Sequence, residues 1–191
     1  MTSAQPYSAL PQPAADALAL SARLDTLIRE NIAAAGGWIS FARYMELALY
    51  APGLGYYSAG SHKLGAAGDF ITAPELSPLF GRVLARQIAP LLDAGIDDII
   101  ELGAGSGALA AALLTELAAL DRLPRQYRIL EVSADLRERQ QARLAAAVPA
   151  QLPRLQWLDR LPERLDAVVI GNEVLDALPV QRTLAAAPPA A

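Results

Sequence analysis

The chain has no cysteine, which excludes disulfides, thiolate catalysis and cysteine-ligated zinc or iron–sulfur centres and fits a reducing compartment. Histidine is almost as scarce. The single one, His62, sits in the polar stretch 58–63, and a His-based metal site or hydrolase triad needs partners that this chain lacks, so His62 reads as a loop residue. A run of one charge sign is missing too. Arginines alternate with acids, the net charge is −4, and no basic stripe offers itself to a phosphate backbone, so nucleic acid is not an expected partner. Nor is there a long, uninterrupted apolar run. The most membrane-like window, 102–120, holds Gly103, Gly105, Gly107, Glu116 and many alanines, and reads as a buried helix of a water-soluble fold with no membrane insertion. The first fifteen residues carry Pro6, Pro11 and Pro13 and no early Lys or Arg, unlike a secretory signal or an Arg-rich transit peptide, so a cytoplasmic location is expected.

What is present points to a packed core. Of 191 residues, 53% are hydrophobic and 19% charged, enough for one ordinary domain or a core with an N-terminal extension. Much of the apolar count is alanine, which buries little area, so the larger side chains must define the core.

Along the chain the periodicity changes once. After a flexible Pro/Ala-rich arm at 1–15, Leu20, Leu24, Leu27, Ile28 and Ile32 recur at helical spacing up to Gly36-Gly37. Ser40 can cap a second helix with Phe41, Tyr44, Met45, Ala48 and Leu49 on one face, ended by Pro52. The stretch 51–57 reads as a turn followed by a short aromatic strand or loop. Ser77-Pro78 opens a helix through Leu79, Phe80, Val83, Leu84 and Ile88 toward Pro90. Residues 16–95 therefore form a mainly helical region with a Gly-rich segment. From Asp97 short apolar runs alternate with helices, the grammar of a parallel α/β sheet. Strands are expected at 98–102, 127–132, 155–158 and 166–171, with helices at 106–120 and from Ser133 to about 148. Residues 96–184 thus make a partial Rossmann-like core of about four parallel strands, followed by a low-complexity tail at 185–191.

The sharpest motif is Glu101-Leu102-Gly103-Ala104-Gly105-Ser106-Gly107, where a strand turns into a helix. Glycines there allow a tight turn and close backbone approach, and the free N–H groups of a helix start favour a negative ligand group. A nucleotide-type cofactor is implied. Glu131 closes the second strand, where a carboxylate can accept from both hydroxyls of a ribose. Gly103-x-Gly105-x-x-Ala108 satisfies a relaxed dinucleotide fingerprint, but Glu101 beside the loop would repel a pyrophosphate. S-adenosylmethionine has no phosphates and carries cationic groups, so it suits an acidic pocket. Asp159, after the third strand, is placed to meet an adenine amino group, and fits a plain surface acid as well. The fourth strand empties into Gly171-Asn172-Glu173-Val174-Leu175-Asp176-Ala177-Leu178-Pro179, at the edge where open α/β sheets bind ligands. Asn172, Glu173 and Asp176 are candidates to hold a substrate nitrogen, with helix capping as the structural alternative.

These blocks, together with Leu49-Tyr50-Ala51-Pro52-Gly53-Leu54-Gly55-Tyr56-Tyr57 and Gly68-Asp69-Phe70-Ile71-Thr72-Ala73-Pro74-Glu75, occur in an order and spacing that resembles the MidA-like S-adenosylmethionine-dependent methyltransferases. That family includes the mitochondrial arginine methyltransferase that assists complex I assembly. The resemblance runs from about Leu24 to Thr183. It implies a class I methyltransferase core in which the loop of Glu101, Gly103, Gly105 and Gly107 holds the cofactor together with Glu131, while Asp159 is a candidate from its strand-end position alone. It also implies that the 68–75 segment folds over the same pocket, where Asp69, Thr72 and Glu75 supply polar groups for a lid. A protein substrate, with arginine as the acceptor, follows from the same resemblance. Family members continue well beyond the Asp-Ala-Leu-Pro block, so a chain that turns into Ala185-Ala186-Ala187-Pro188-Pro189-Ala190-Ala191 reads as truncated, with its fourth strand expected to present an unpaired edge. The rival readings are an NAD(P)-dependent oxidoreductase and a non-catalytic cofactor-binding module that assists assembly of a partner.

Overall fold

The computed structural model describes residues 13–59 and 71–183; His62 and Asp69 lie outside the described residues. The chain divides into two compact units, one of residues 1–59 with 179–191, the other of residues 60–178.

In the first unit, α1 (Ala15–Ala34) ends where the sequence places its glycines. Gly36 and Gly37 both have positive φ, and their N–H groups donate to Ala33 O and Ile32 O, satisfying carbonyls of the last turn. Helix α2 (Phe41–Tyr50) starts at Ser40, whose Oγ accepts the Arg43 N–H at 3.2 Å. Arg43 also donates to Asn31 Oδ1 at 2.9 Å, tying α2 to α1. The apolar stripe expected on α2 is corrected: Phe41 and Tyr44 are exposed, and Leu47 is the side chain that α2 buries. The stretch after α2 forms turns and no strand. Tyr56 and Tyr57 donate their N–H groups back to Ala48 and Leu49, which draws Gly55 against the helix end. A Cβ on Gly55 would lie 2.5 Å from the Ala51 nitrogen, so only glycine fits there.

The second unit is the α/β core. It runs α3 (Ala73–Leu76), α4 (Pro78–Asp93), β1 (Asp98–Leu102), α5 (Ala108–Ala119), β2 (Gln126–Leu130), α6 (Ala134–Ala147), a 3-10 segment (Pro149–Arg154), β3 (Leu155–Leu158), β4 (Val168–Gly171) and a 3-10 turn (Leu175–Ala177). Helix α3 is absent from the sequence reading. Helix α4 continues past Pro90, which was expected to end it: the missing N–H removes one ladder bond, while the Pro90 carbonyl still accepts from Ala94.

All strand pairs are parallel and the order is β3-β2-β1-β4. The central β1 is buried from Asp98 to Glu101, as a parallel strand covered on both faces must be. Strand β4 pairs only with β1 among the described residues, and Val169 on it is exposed, as expected of an edge. The core gathers Ile99, Tyr127, Ile129, Leu144 and the Leu109, Leu113, Leu114 and Leu117 stripe of α5. Each such leucine contributes about 1.5–3 kcal/mol. Gly81 lets α4 lie directly on α5, since a Cβ there would stand 2.5 Å from Ala112 Cβ. Among the described residues, no helix is long and apolar enough to cross a membrane.

Candidate functional site

The strand register places the site. Leu102 pairs with Leu130 and with Gly171, and Leu130 pairs with Leu158, so the four strands end level with one another. The next residue after each end is Gly103, Glu131, Asp159 or Asn172. Four positions singled out in the sequence therefore share one sheet edge, the carboxyl edge at which open α/β sheets hold ligands.

The loop at 103–107 is built from backbone conformations that side chains resist. Gly103, Gly105 and Gly107 have φ of +58°, +55° and +82°. Gly103 N–H donates to Leu130 O at 2.9 Å, fastening the loop to the end of β2. Gly107 is pressed against α6, where a Cβ would meet Gln140 Cα at 3.4 Å.

Glu131 is buried, and two neutral donors hold its carboxylate: Ser133 N–H on Oε1 and the Gln140 amide on Oε2, both at 2.9 Å. Burial pushes its pKa up; the Ser133 N–H, the Gln140 amide, the Val132 N–H and the charge of Arg137 pull the other way. Glu101 lies deeper than the sequence reading placed it. Its carboxylate is buried and accepts the Tyr127 hydroxyl at 2.6 Å. Burial raises the Glu101 pKa to about 7, against the lowering effect of the Tyr127 bond, and the nearby Glu131 charge adds to the rise.

Asp159 is almost wholly exposed and pairs with Arg137 at 2.7 Å. The same guanidinium nitrogen donates to the Glu131 and Leu158 carbonyls at 3.0 and 3.1 Å, lacing the ends of β2 and β3 together. Glu75 reaches the start of α5, where it accepts from the Ser106 hydroxyl; Arg143 stands 3.3 Å from Glu75 and 2.6 Å from Ser106 Oγ. Thr72 occupies the N-cap position of α3, without a cap bond from its side chain. Beyond β4, Asn172 is half-buried, and Glu173 and Asp176 are exposed, with Glu173 at a φ of +54°. Val174 turns back over the loop, close enough that a Cβ on Gly103 would lie 3.5 Å from it. The structure thus ties Gly105 to Glu131 through Gln140 and Gly103 to the end of β2, buries Glu101 on the Tyr127 hydroxyl, sets Glu75 at the start of α5, and leaves Asp159, Glu173 and Asp176 in solvent.

Sequence reasoning gave no role to Gln140, Trp157, Tyr127, Arg137 or Arg143. For Gln140 a signal existed: it falls between Leu136 and Leu144 at helical spacing, and an amide on the buried seam of a helix must find partners.

A family model described as "Putative S-adenosyl-L-methionine-dependent methyltransferase" matches residues 83–187, more than half of the chain. The chain belongs to that family. A curated relative of this methyltransferase-family chain, the mitochondrial protein arginine methyltransferase NDUFAF7 homolog of Caenorhabditis elegans, is 31% identical over 170 residues, covering 76% of this chain and 40% of the relative. The Danio rerio protein arginine methyltransferase NDUFAF7 is 45% identical over 84 residues, 42% of this chain and 20% of its own length. A superfamily member from Burkholderia thailandensis, solved bound to S-adenosyl-homocysteine, is 55% identical with a TM-score of 0.83, over 90% of this chain and 46% of that one. A native structure from the same organism gives 54% identity and a TM-score of 0.79, over 91% and 44%. The chain spans less than half the length of each of these relatives. The Rossmann-like methyltransferase fold read from the sequence is the fold that these neighbours share.

Proposed function

We propose that this chain holds S-adenosyl-L-methionine at the carboxyl edge of its sheet, and that the protein it represents transfers the methyl group to a protein substrate, with arginine as the acceptor. The observation that carries the reading is Glu131: a buried carboxylate level with a three-glycine loop, held by the Ser133 N–H on one oxygen and the Gln140 amide on the other, with acceptor capacity for a pair of vicinal hydroxyls. The donor set fits the cofactor. Glu131 receives the ribose, Gly103 and Gly105 give it a backbone without side chains to approach, and Glu101 with Glu131 makes the pocket acidic, which favours a cationic ligand over a pyrophosphate. Asp159 meets the adenine edge, and Thr72 and Glu75 contribute polar groups from the segment before α4.

When bound, the cofactor supplies a methyl group on sulfonium sulfur, which a nucleophile attacks in line as the S–CH3 bond breaks. The chain's part is alignment, worth at most about 7–11 kcal/mol. Asn172, Glu173 and Asp176 stand after β4 on the same edge as the loop, where carboxylates orient a guanidinium through paired hydrogen bonds and take up the proton it loses. The arginine assignment draws on the names of the curated relatives. Titration calorimetry with S-adenosylhomocysteine and NADH tests the cofactor: the reading expects the first to bind and the second not, and the reverse overturns it. Transfer of labelled methyl into arginine-containing proteins tests the acceptor.

A further inference from the structure

We infer that Gln140 is a positioning residue of the cofactor site, a clamp that sets the ribose carboxylate and the glycine loop in one fixed relation. The inference rests on the reading above. Gln140 is fully buried on α6, and its side chain makes three bonds of 2.9 Å. Nε2 donates to Gly105 O in the loop and to Glu131 Oε2, while Oε1 accepts the indole N–H of Trp157 on β3.

The amide has one workable orientation. An indole N–H only donates, so the side facing Trp157 must be the oxygen; a backbone carbonyl and a carboxylate oxygen only accept, so the side facing them must be the NH2. Every hydrogen-bonding group of the amide is thereby matched, and a flipped amide would set donor against donor and oxygen against oxygen. Two consequences follow. The Glu131 carboxylate is held between Ser133 N–H and Gln140, so its plane is set before a ribose arrives. The Gly105 carbonyl is turned toward α6, and in a trans peptide the Ser106 N–H must then point the opposite way, away from α6. One neutral side chain thus couples three strand ends: the loop after β1, the acid after β2 and the indole on β3. A charged side chain could not replace it. Arginine or lysine has no acceptor for Trp157, and glutamate has no donor for Glu131 unless protonated.

The test is S-adenosylhomocysteine affinity by calorimetry, with thermal melting of each variant in parallel. Gln140→Leu removes the donor to a charged group and is expected to weaken binding about ten- to a hundredfold. Trp157→Phe keeps the ring but frees the amide to flip, with an expected loss of about two- to tenfold. Gln140→Glu gives a readout that simple packing would not move. Its affinity relative to wild type is lowest at pH 8, where carboxylates at 140 and 131 meet directly, with the charge of Glu101 close to Glu131 and with Tyr127 and Arg137 nearby. It recovers toward pH 5.5 as the carboxyl at 140 takes the proton that it can then donate. If Gln140→Leu does not fold, the other two variants decide. Wild-type binding with unchanged affinity in folded variants, or a flat pH ratio for Gln140→Glu, overturns the clamp and leaves the cofactor reading intact. A wild type that does not bind S-adenosylhomocysteine overturns both.

Discussion

The two ends of the sheet treat buried acids in opposite ways. At the amino end of β1, Asp98 is buried between guanidinium groups: Arg125 holds it through two nitrogens at 3.1 and 3.0 Å, and Arg128 reaches the same carboxylate. Between α4 and α5, Glu116 is held likewise by Arg82 and Arg86 at 2.9 and 2.7 Å, and the two hold its carboxyl below the usual range. At the carboxyl end, Glu101 and Glu131 are equally buried, yet their hydrogen bonds come from a phenol, a backbone N–H and an amide. Arg137 is near, but it spends its bonds there on main-chain carbonyls and on Asp159. A buried acid neutralised by arginine is finished as a structure; one held only by neutral donors has no fixed counter-charge, and burial pushes its pKa up against the pull of those donors. The difference separates a stabilising end of the sheet from the end proposed to bind the cofactor.

Breaking the stabilising end should have the largest effect. Asp98→Asn leaves Arg128, which is mostly buried, beside Arg125 without their shared carboxylate, and should cost about 3–5 kcal/mol in urea unfolding while S-adenosylhomocysteine affinity per folded molecule stays unchanged. A parallel fall in affinity would show that the two ends are not separable.

The next effect is a pH dependence at the binding end. Glu101 has a folded pKa of about 7, above its unfolded value of about 4.5, so the folded state binds the proton more tightly. Its relative contribution to stability is therefore fully present below about pH 4.5 and lost as pH rises through 7, a swing on the order of 3 kcal/mol. Glu101→Gln removes the titration, so unfolding measured across pH 4.5 to 7.5 should find the variant gaining on wild type as pH rises, by up to that amount. A constant difference would place the Glu101 pKa near its ordinary value.

The smallest effect sharpens the comparison within the binding end. Ser133→Ala removes the hydroxyl that caps α6 at Leu136 N but keeps the main-chain N–H that donates to Glu131. It should cost about 1 kcal/mol of stability and leave cofactor affinity unaltered in calorimetry, because the donor that matters to the carboxylate is backbone.

Much of this arrangement was legible in the sequence, for identifiable reasons. Strands β1 and β3 fall where their apolar runs do, the Ser40, Ser77 and Ser133 caps hold, and the glycines at 103, 105 and 107 each take a positive φ. These are local signals, written in neighbouring residues. What escaped was long-range. The turn toward Tyr127 that buries Glu101, the Trp157–Gln140–Glu131 chain and the Glu75–Ser106 contact join residues 9 to 31 positions apart, and no periodicity encodes them. Asp159 shows the converse: a strand-end acid in register with Glu131 was readable, but its pairing with Arg137 in open solvent was not. The persistence of α4 beyond Pro90 and the exposure of Phe41 and Tyr44 are two places where the local pattern did not foretell the structure.

The central claim is that the carboxyl end binds the ribose of an S-adenosyl cofactor through Glu131, and one affinity ratio tests it. Calorimetric titration of S-adenosylhomocysteine into wild type and Glu131→Gln, both confirmed folded, should give a loss of about 1–3 kcal/mol in the variant, the cost of replacing a charge-assisted acceptor pair with an amide. Equal affinities in the two proteins would contradict the account.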